Sequence, residues 1–200
     1  MATIEFFWDA VSPYSYLAST RIDALAERTG ATIAWRPFLL GGVFEATGNP
    51  GNRASFGNPA KLRFMMADLK LWARSYGVPL TQPQPFPTNS MLAGRAALAA
   101  PAEKLVDFSR RVIRAYWGEG RDVSKPEEIV RVATDVGLDG AALIERTQDP
   151  AIKDQLRKNT EEAVQRGAFG APTFFVGQQM FWGNDRLPLL EEFITGKLSG

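Results

Sequence analysis

The feature that most limits the fold is the confinement of strand-like runs to the two ends of the chain. Ile4–Trp8 and Thr32–Phe38 are short apolar runs rich in strand formers. Between them Ser12-Pro13 reads as a helix start. Tyr14, Leu17, Ala18, Ile22, Leu25 and Ala26 follow at helical spacing, and Gly30 is placed to end one continuous helix. The opening is therefore strand–helix–strand, long enough for a parallel crossover. Near the other end, Thr173–Val176 and Gln179–Trp182 flank Gly177-Gln178 as a hairpin, and a last helix runs from about Asp185 to Thr195. Nothing from 60 to 165 reads as a strand.

That long interior is helical in pattern. The Gly- and Asn-rich stretch 41–58 reads as a loop, and a helix follows from Lys61, with Leu62, Met65, Met66, Leu69, Trp72, Ala73 and Tyr76 on one face. After the proline-rich stretch Pro79–Pro87, helices are expected over 88–99, 102–117, 125–136, 139–147 and 150–166. Ser124-Lys125-Pro126-Glu127 fits a capping box at one of these starts. The layout predicts an α/β protein of thioredoxin-like fold: residues 1–40 and 167–200 form a discontinuous thioredoxin-like domain, and 41–166 form an inserted all-helical domain.

Two absences then restrict the chemistry. Among 200 residues there is no cysteine and no histidine. The chain thus has no disulfide, no thiolate metal site, no redox couple of its own and no imidazole base, so no metal is expected. Serine–histidine–aspartate catalysis is excluded. The 23 basic and 22 acidic residues give a net charge of +1, which offers no electrostatic reason to expect nucleic acid or an anionic membrane as partner. Met1–Glu5 leads straight into an apolar strand, with no charged segment and long apolar run of the secretory kind. No stretch approaches the roughly eighteen apolar residues of a membrane span. A cytoplasmic location is expected.

The sharpest local feature is Ser12-Pro13-Tyr14-Ser15, at the junction of the first strand and first helix, where thioredoxin-like oxidoreductases place Cys-x-x-Cys. Unpaired N–H groups at a helix start stabilise an anion, including a thiolate, and a serine hydroxyl adds one more donor. Serine without a histidine is itself a poor nucleophile, so the functional reading is that Ser12 holds a sulfur supplied from outside. The same tetrapeptide is also what a plain N-cap looks like. Pro172, just before a strand, is either a strand-start proline or the cis proline that faces this helix start in thioredoxin-like folds. In the second case Ala171 offers its backbone to a peptide ligand in strand fashion. Asn184 and Asp185 either cap the last helix or, in the alternative, Asp185 receives a ligand's ammonium group while nearby amides hold its carboxylate. Asn49 and Lys61 are weaker candidates. The aromatics Trp8, Trp35, Phe38, Phe44, Phe174, Phe175, Phe181 and Trp182 are expected mostly in the core.

Taken together, the stretches FFWDAVSPYSYLA, GGVFEATGNP, KLRFMMADLKLWARSYGVP, FPTNSMLAGRAAL and GAFGAPTFFVGQQMFWGNDRLPLLEE resemble, in order and over nearly the whole chain, the 2-hydroxychromene-2-carboxylate isomerases. That family is similar to the kappa-class glutathione transferases and, more distantly, to the DsbA-like oxidoreductases. The resemblance implies a homodimer with glutathione as cofactor and an aromatic keto acid as substrate. It also implies Ser12 as the catalytic serine, and Asn49, Lys61, Ala171, Pro172, Asn184 and Asp185 as glutathione contacts, with Asn52 and Asn58 competing with Asn49. The implied reaction is a glutathione-dependent isomerisation. Conjugation of electrophiles by a kappa-like transferase is the alternative within the family, and a non-catalytic peptide-binding module is the alternative outside it. Disulfide exchange is rejected, because both redox positions hold serine.

Overall fold

The computed structural model describes residues 1–48 and 58–198. Four strands, β1 (Thr3–Trp8), β2 (Thr32–Pro37), β3 (Thr173–Val176) and β4 (Gln179–Trp182), form one sheet in the order β2-β1-β3-β4. β1 runs parallel to β2 and antiparallel to β3, which pairs antiparallel with β4. The hairpin turn at Gly177 lies where the sequence places it. Alternation along β1 sends Ile4, Phe6 and Trp8 to one face, where they join Trp35 and Phe174. Phe7 goes to the other face with Phe38 and Phe175. A strand buried on both sides explains the unbroken apolar run at its end.

Ten α-helices complete the described residues. They are α1 (Pro13–Ser19), α2 (Ile22–Thr29), α3 (Leu40–Thr47), α4 (Pro59–Tyr76), α5 (Met91–Ala99), α6 (Leu105–Trp117), α7 (Pro126–Asp135), α8 (Gly140–Arg146), α9 (Pro150–Gln165) and α10 (Leu187–Ile194). Those from α3 to α9 lie between β2 and β3 in the chain, so a helical block is inserted into a thioredoxin-like sheet unit. No helix among the described residues is long and apolar enough to cross a membrane.

Three local expectations fail, each for a visible reason. The first helix is broken into α1 and α2. At the break the Ser19 and Thr20 hydroxyls bond back to the Tyr16 and Leu17 carbonyls, and the Thr20 and Arg21 amides tighten onto residues three back. The stretch 41–58 is not all loop. α3 forms despite Gly41 and Gly42 because distant groups satisfy its first amides: Leu39 N–H donates to Thr160 Oγ1 (3.0 Å) and Leu40 N–H to Asp9 Oδ2 (2.7 Å). Gly42 also lets α3 press against α9, since a Cβ there would meet Thr160 at 3.2 Å. At α7 the N-cap is Lys125, and Ser124 bonds Asp122 instead, so the capping box does not form.

Candidate thiol-binding site

The turn from β1 into α1 is held from several sides. Asp9 C=O accepts Ser12 N–H (3.1 Å), Asp9 Oδ1 accepts Val11 N–H (3.1 Å), and Ala10 C=O accepts the Trp117 indole N–H (3.0 Å). Pro13 then opens α1 with its φ already set, and Ser12 caps it, Oγ accepting Ser15 N–H at 3.1 Å. A cap alone leaves the hydroxyl proton free to point anywhere. Here it donates to the Ala171 carbonyl at 2.9 Å, across 159 positions of sequence, and Ser12 is 2% exposed. Ala171–Pro172 is cis. Ser12 is therefore an N-cap, and its hydroxyl also faces the proline turn. α1 is only seven residues long, so first-turn hydrogen bonds outweigh any macrodipole there.

The third segment joins through Pro172, whose carbonyl accepts Gly183 N–H at 3.0 Å. Gly183 sits at φ +105°, so its conformation favours glycine, and a Cβ on it would lie 2.4 Å from Asp185 Oδ1, so a larger residue would displace that carboxylate. Asn184–Arg186 is a short 3₁₀ turn ahead of α10, and neither Asn184 nor Asp185 caps a helix with its side chain. Asn184 is buried, its Nδ2 3.5 Å from Tyr76 Oη; Asp185 is half exposed and pairs with Arg186 at 2.5 Å. A solvent-facing pair of this kind is worth little and leaves Asp185 free for another cation.

Tyr14 and Asp68 were not foreseen in the sequence. The Tyr14 hydroxyl hydrogen-bonds Asp68 of α4 and lies near Asp185; burial first, and then these two carboxylates, push its pKa up to about 12. Asp9 is also new, although a lone acid closing an apolar strand three residues before Ser12 was a visible signal. It is 2% exposed, and burial pushes its carboxyl up against the opposing effect of hydrogen bonds from Leu40, Val11 and Ser90. The Ser15 hydroxyl is fully buried without a hydrogen-bond partner.

Thus Ser12, Ala171, Pro172, Asn184 and Asp185 are brought into one region. Lys61 lies exposed in the first turn of α4, its amide capped by Asn58 Oδ1, with no side-chain bond among the described residues that ties it to this region. Asn58 is used as that cap; Asn49 and Asn52 lie outside the described residues. Of the aromatics, Trp8, Trp35, Phe38, Phe174 and Phe175 are core, whereas Trp182 is exposed and lies tilted by 49° against Phe169, 4.8 Å between ring centroids. A groove of about 770 Å³ between α3, α5 and α9 contains none of the candidate site residues.

Residues 3–195 match the model of the DSBA-like thioredoxin domain, and the chain belongs to that family. Within it the chain is 42% identical, over 96% of its own length and 97% of the other's, to a 2-hydroxychromene-2-carboxylate isomerase of Sphingobium xenophagum. It is 30% identical to human glutathione S-transferase kappa 1, over 99% and 93% of the two chains. The solved structure of a 2-hydroxychromene-2-carboxylate isomerase superposes with a TM-score of 0.87 at 32% identity, covering 99% of this chain and 100% of that one.

Proposed function

We propose that this protein is a glutathione-dependent cis–trans isomerase acting on 2-hydroxychromene-2-carboxylate, or on a related ring-opened aromatic keto acid, to give trans-o-hydroxybenzylidenepyruvate. One observation carries the reading. A buried serine hydroxyl faces the Ala171-Pro172 turn in a chain without Cys or His that is 42% identical to a protein bearing that name. The residues present fit glutathione, since the region combines a hydroxyl donor, a strand-start backbone and an exposed carboxylate.

Glutathione supplies a thiolate whose reversible addition to the conjugated carbon leaves a single bond free to rotate. The chain's own groups bind and orient. Ser12 Oγ has one proton and already accepts Ser15 N–H, so rotation about Cβ–Oγ transfers its donated bond from Ala171 C=O to the sulfur. A hydrogen bond to a charged acceptor contributes about 1.5–3 kcal/mol, which lowers the thiol pKa by about one to two units. Ala171 presents its backbone to the peptide part of glutathione, Asp185 receives its ammonium group, and Asn184, Lys61 and the loop asparagine Asn49 complete the contacts. Tyr14, protonated to about pH 12, does not serve as a base, and its hydroxyl proton is donated to Asp68.

A cytoplasmic homodimer, a place in naphthalene-type aromatic breakdown and the division 1–40 plus 167–200 against 41–166 belong to the same reading. The test is to follow isomerisation by absorbance with and without glutathione. Turnover that needs glutathione supports the reading, and turnover independent of it overturns the thiol mechanism. The 30% identity to human kappa 1 favours one second reading, a transferase. Conjugation of an aryl halide without isomerisation would select it.

A further inference from the structure

We infer that Asp9 is the positioning residue of the thiol site, its buried carboxylate locking the turn that presents Ser12 to the start of α3. The inference rests on the role proposed for Ser12. Asp9 lies at the end of β1 between Trp8 and Ala10, both 1% exposed. The groups that hydrogen-bond its carboxyl are the Leu40 and Val11 amides and the Ser90 hydroxyl, none of them a cation. An unpaired carboxylate so deep in the protein costs stability, and a group kept at such a cost points to a task other than stability.

The task is legible from where its oxygens point. Oδ1 takes Val11 N–H at 3.1 Å, closing an Asx turn, while the main-chain carbonyl takes Ser12 N–H at 3.1 Å. Oδ2 takes Leu40 N–H at 2.7 Å, and the Ser90 hydroxyl ahead of α5 also reaches the carboxylate. An asparagine would close the same Asx turn but has only one acceptor oxygen, and its amide nitrogen would face the Leu40 N–H donor to donor. The position therefore calls for two acceptors serving two segments. Displacement of Ser12 Oγ by even 1 Å is enough to lower turnover on the order of a hundredfold.

The decisive variant is Asp9→Asn, compared with Ser12→Ala and with the double variant. Glutathione-dependent turnover of 2-hydroxychromene-2-carboxylate should fall roughly tenfold to a hundredfold in Asp9→Asn, chiefly in kcat, with Tm within a few degrees of the parent. Because Asp9 acts through Ser12, the double variant should be no slower than Ser12→Ala. Multiplying losses, or Asp9→Asn turnover within twofold of the parent, overturn the assignment. A second readout needs no reaction: a crystal structure of Asp9→Asn, and amide exchange at Leu40. Faster Leu40 exchange with a displaced Ser12 hydroxyl supports the positioning role. A Ser12 Oγ still 2.9 Å from Ala171 C=O contradicts it. If the parent shows no glutathione-dependent turnover, the proposed function fails while this readout still decides the positioning claim. If Asp9→Asn does not fold, Asp9→Ser, which keeps an acceptor for Val11 and loses the reach to Leu40, carries the same measurements with the same expected direction.

Discussion

α1 and α9 begin with the same local device, a polar residue followed by proline: Ser12-Pro13 in one and Asp149-Pro150 in the other. In both, the side-chain oxygen accepts a first-turn amide, Ser15 N–H at 3.1 Å and Ala151 N–H at 2.8 Å. The starts differ in what else the capping side chain does. Asp149 is exposed and, among the described residues, its side chain bonds no distant segment, whereas Ser12 is buried and donates its proton to Ala171, a residue it meets only in the folded chain. A cap of the first kind contributes stability alone. A cap of the second kind keeps a donor on a distant backbone carbonyl, the arrangement on which the proposed thiol role rests.

The comparison is tested most severely by Ser12→Ala. Losing one preorganised donor should lower turnover by about 10²–10³, while losing the cap costs only about 1 kcal/mol of stability. Enzyme kinetics and thermal unfolding on the same preparation separate the two effects. Next in size is Gly183→Ala. The positive φ predicts a stability loss of about 1–3 kcal/mol, and displacement of the Asp185 carboxylate predicts a KM for glutathione raised severalfold, with kcat less affected. Asp149→Ala should cost about 1 kcal/mol, seen as a Tm lower by about 2–4 °C, and leave turnover unchanged. Ser124→Ala, which removes a bond to Asp122 rather than a cap, should cost only about 0.5 kcal/mol.

The pH behaviour sharpens the contrast further. Asp9 has its carboxyl raised above the usual value of 3.8, so between that value and its folded one the native state holds the extra proton. Stability contributed by this group therefore falls as pH rises through the window, the reverse of an ion-paired carboxylate. Denaturation curves of the parent and of Asp9→Asn should diverge in that direction. Identical pH slopes would show that Asp9 titrates normally.

How far each region could be read from sequence follows the same division between local and distant causes. Ser12-Pro13, the 177 turn, β1 and the helix α4 carry their signals within a few residues, and the structure places them accordingly. α3 does not, because two glycines argue against a helix until Asp9 and Thr160 accept its first amides from 31 and 121 positions away. The break between α1 and α2 depends on hydroxyls choosing the backbone over solvent, a competition that composition alone does not decide. At the site, the facing of Ser12 and Pro172 was readable from the thioredoxin-like layout, but the Ser12 hydroxyl bond to the Ala171 carbonyl carries no local signal. The approach of Tyr14 to Asp68 had no local signal at all.

The central claim is that the Ser12 hydroxyl serves a sulfur that is not the protein's own. The most direct measurement is the ultraviolet absorbance of the bound glutathione thiolate against pH, in the parent and in Ser12→Ala. If Ser12 holds the sulfur, the bound thiol pKa lies about one to two units below the free value in the parent and returns towards the free value in Ser12→Ala. An equal thiol pKa in both proteins, with glutathione bound in both, would contradict it.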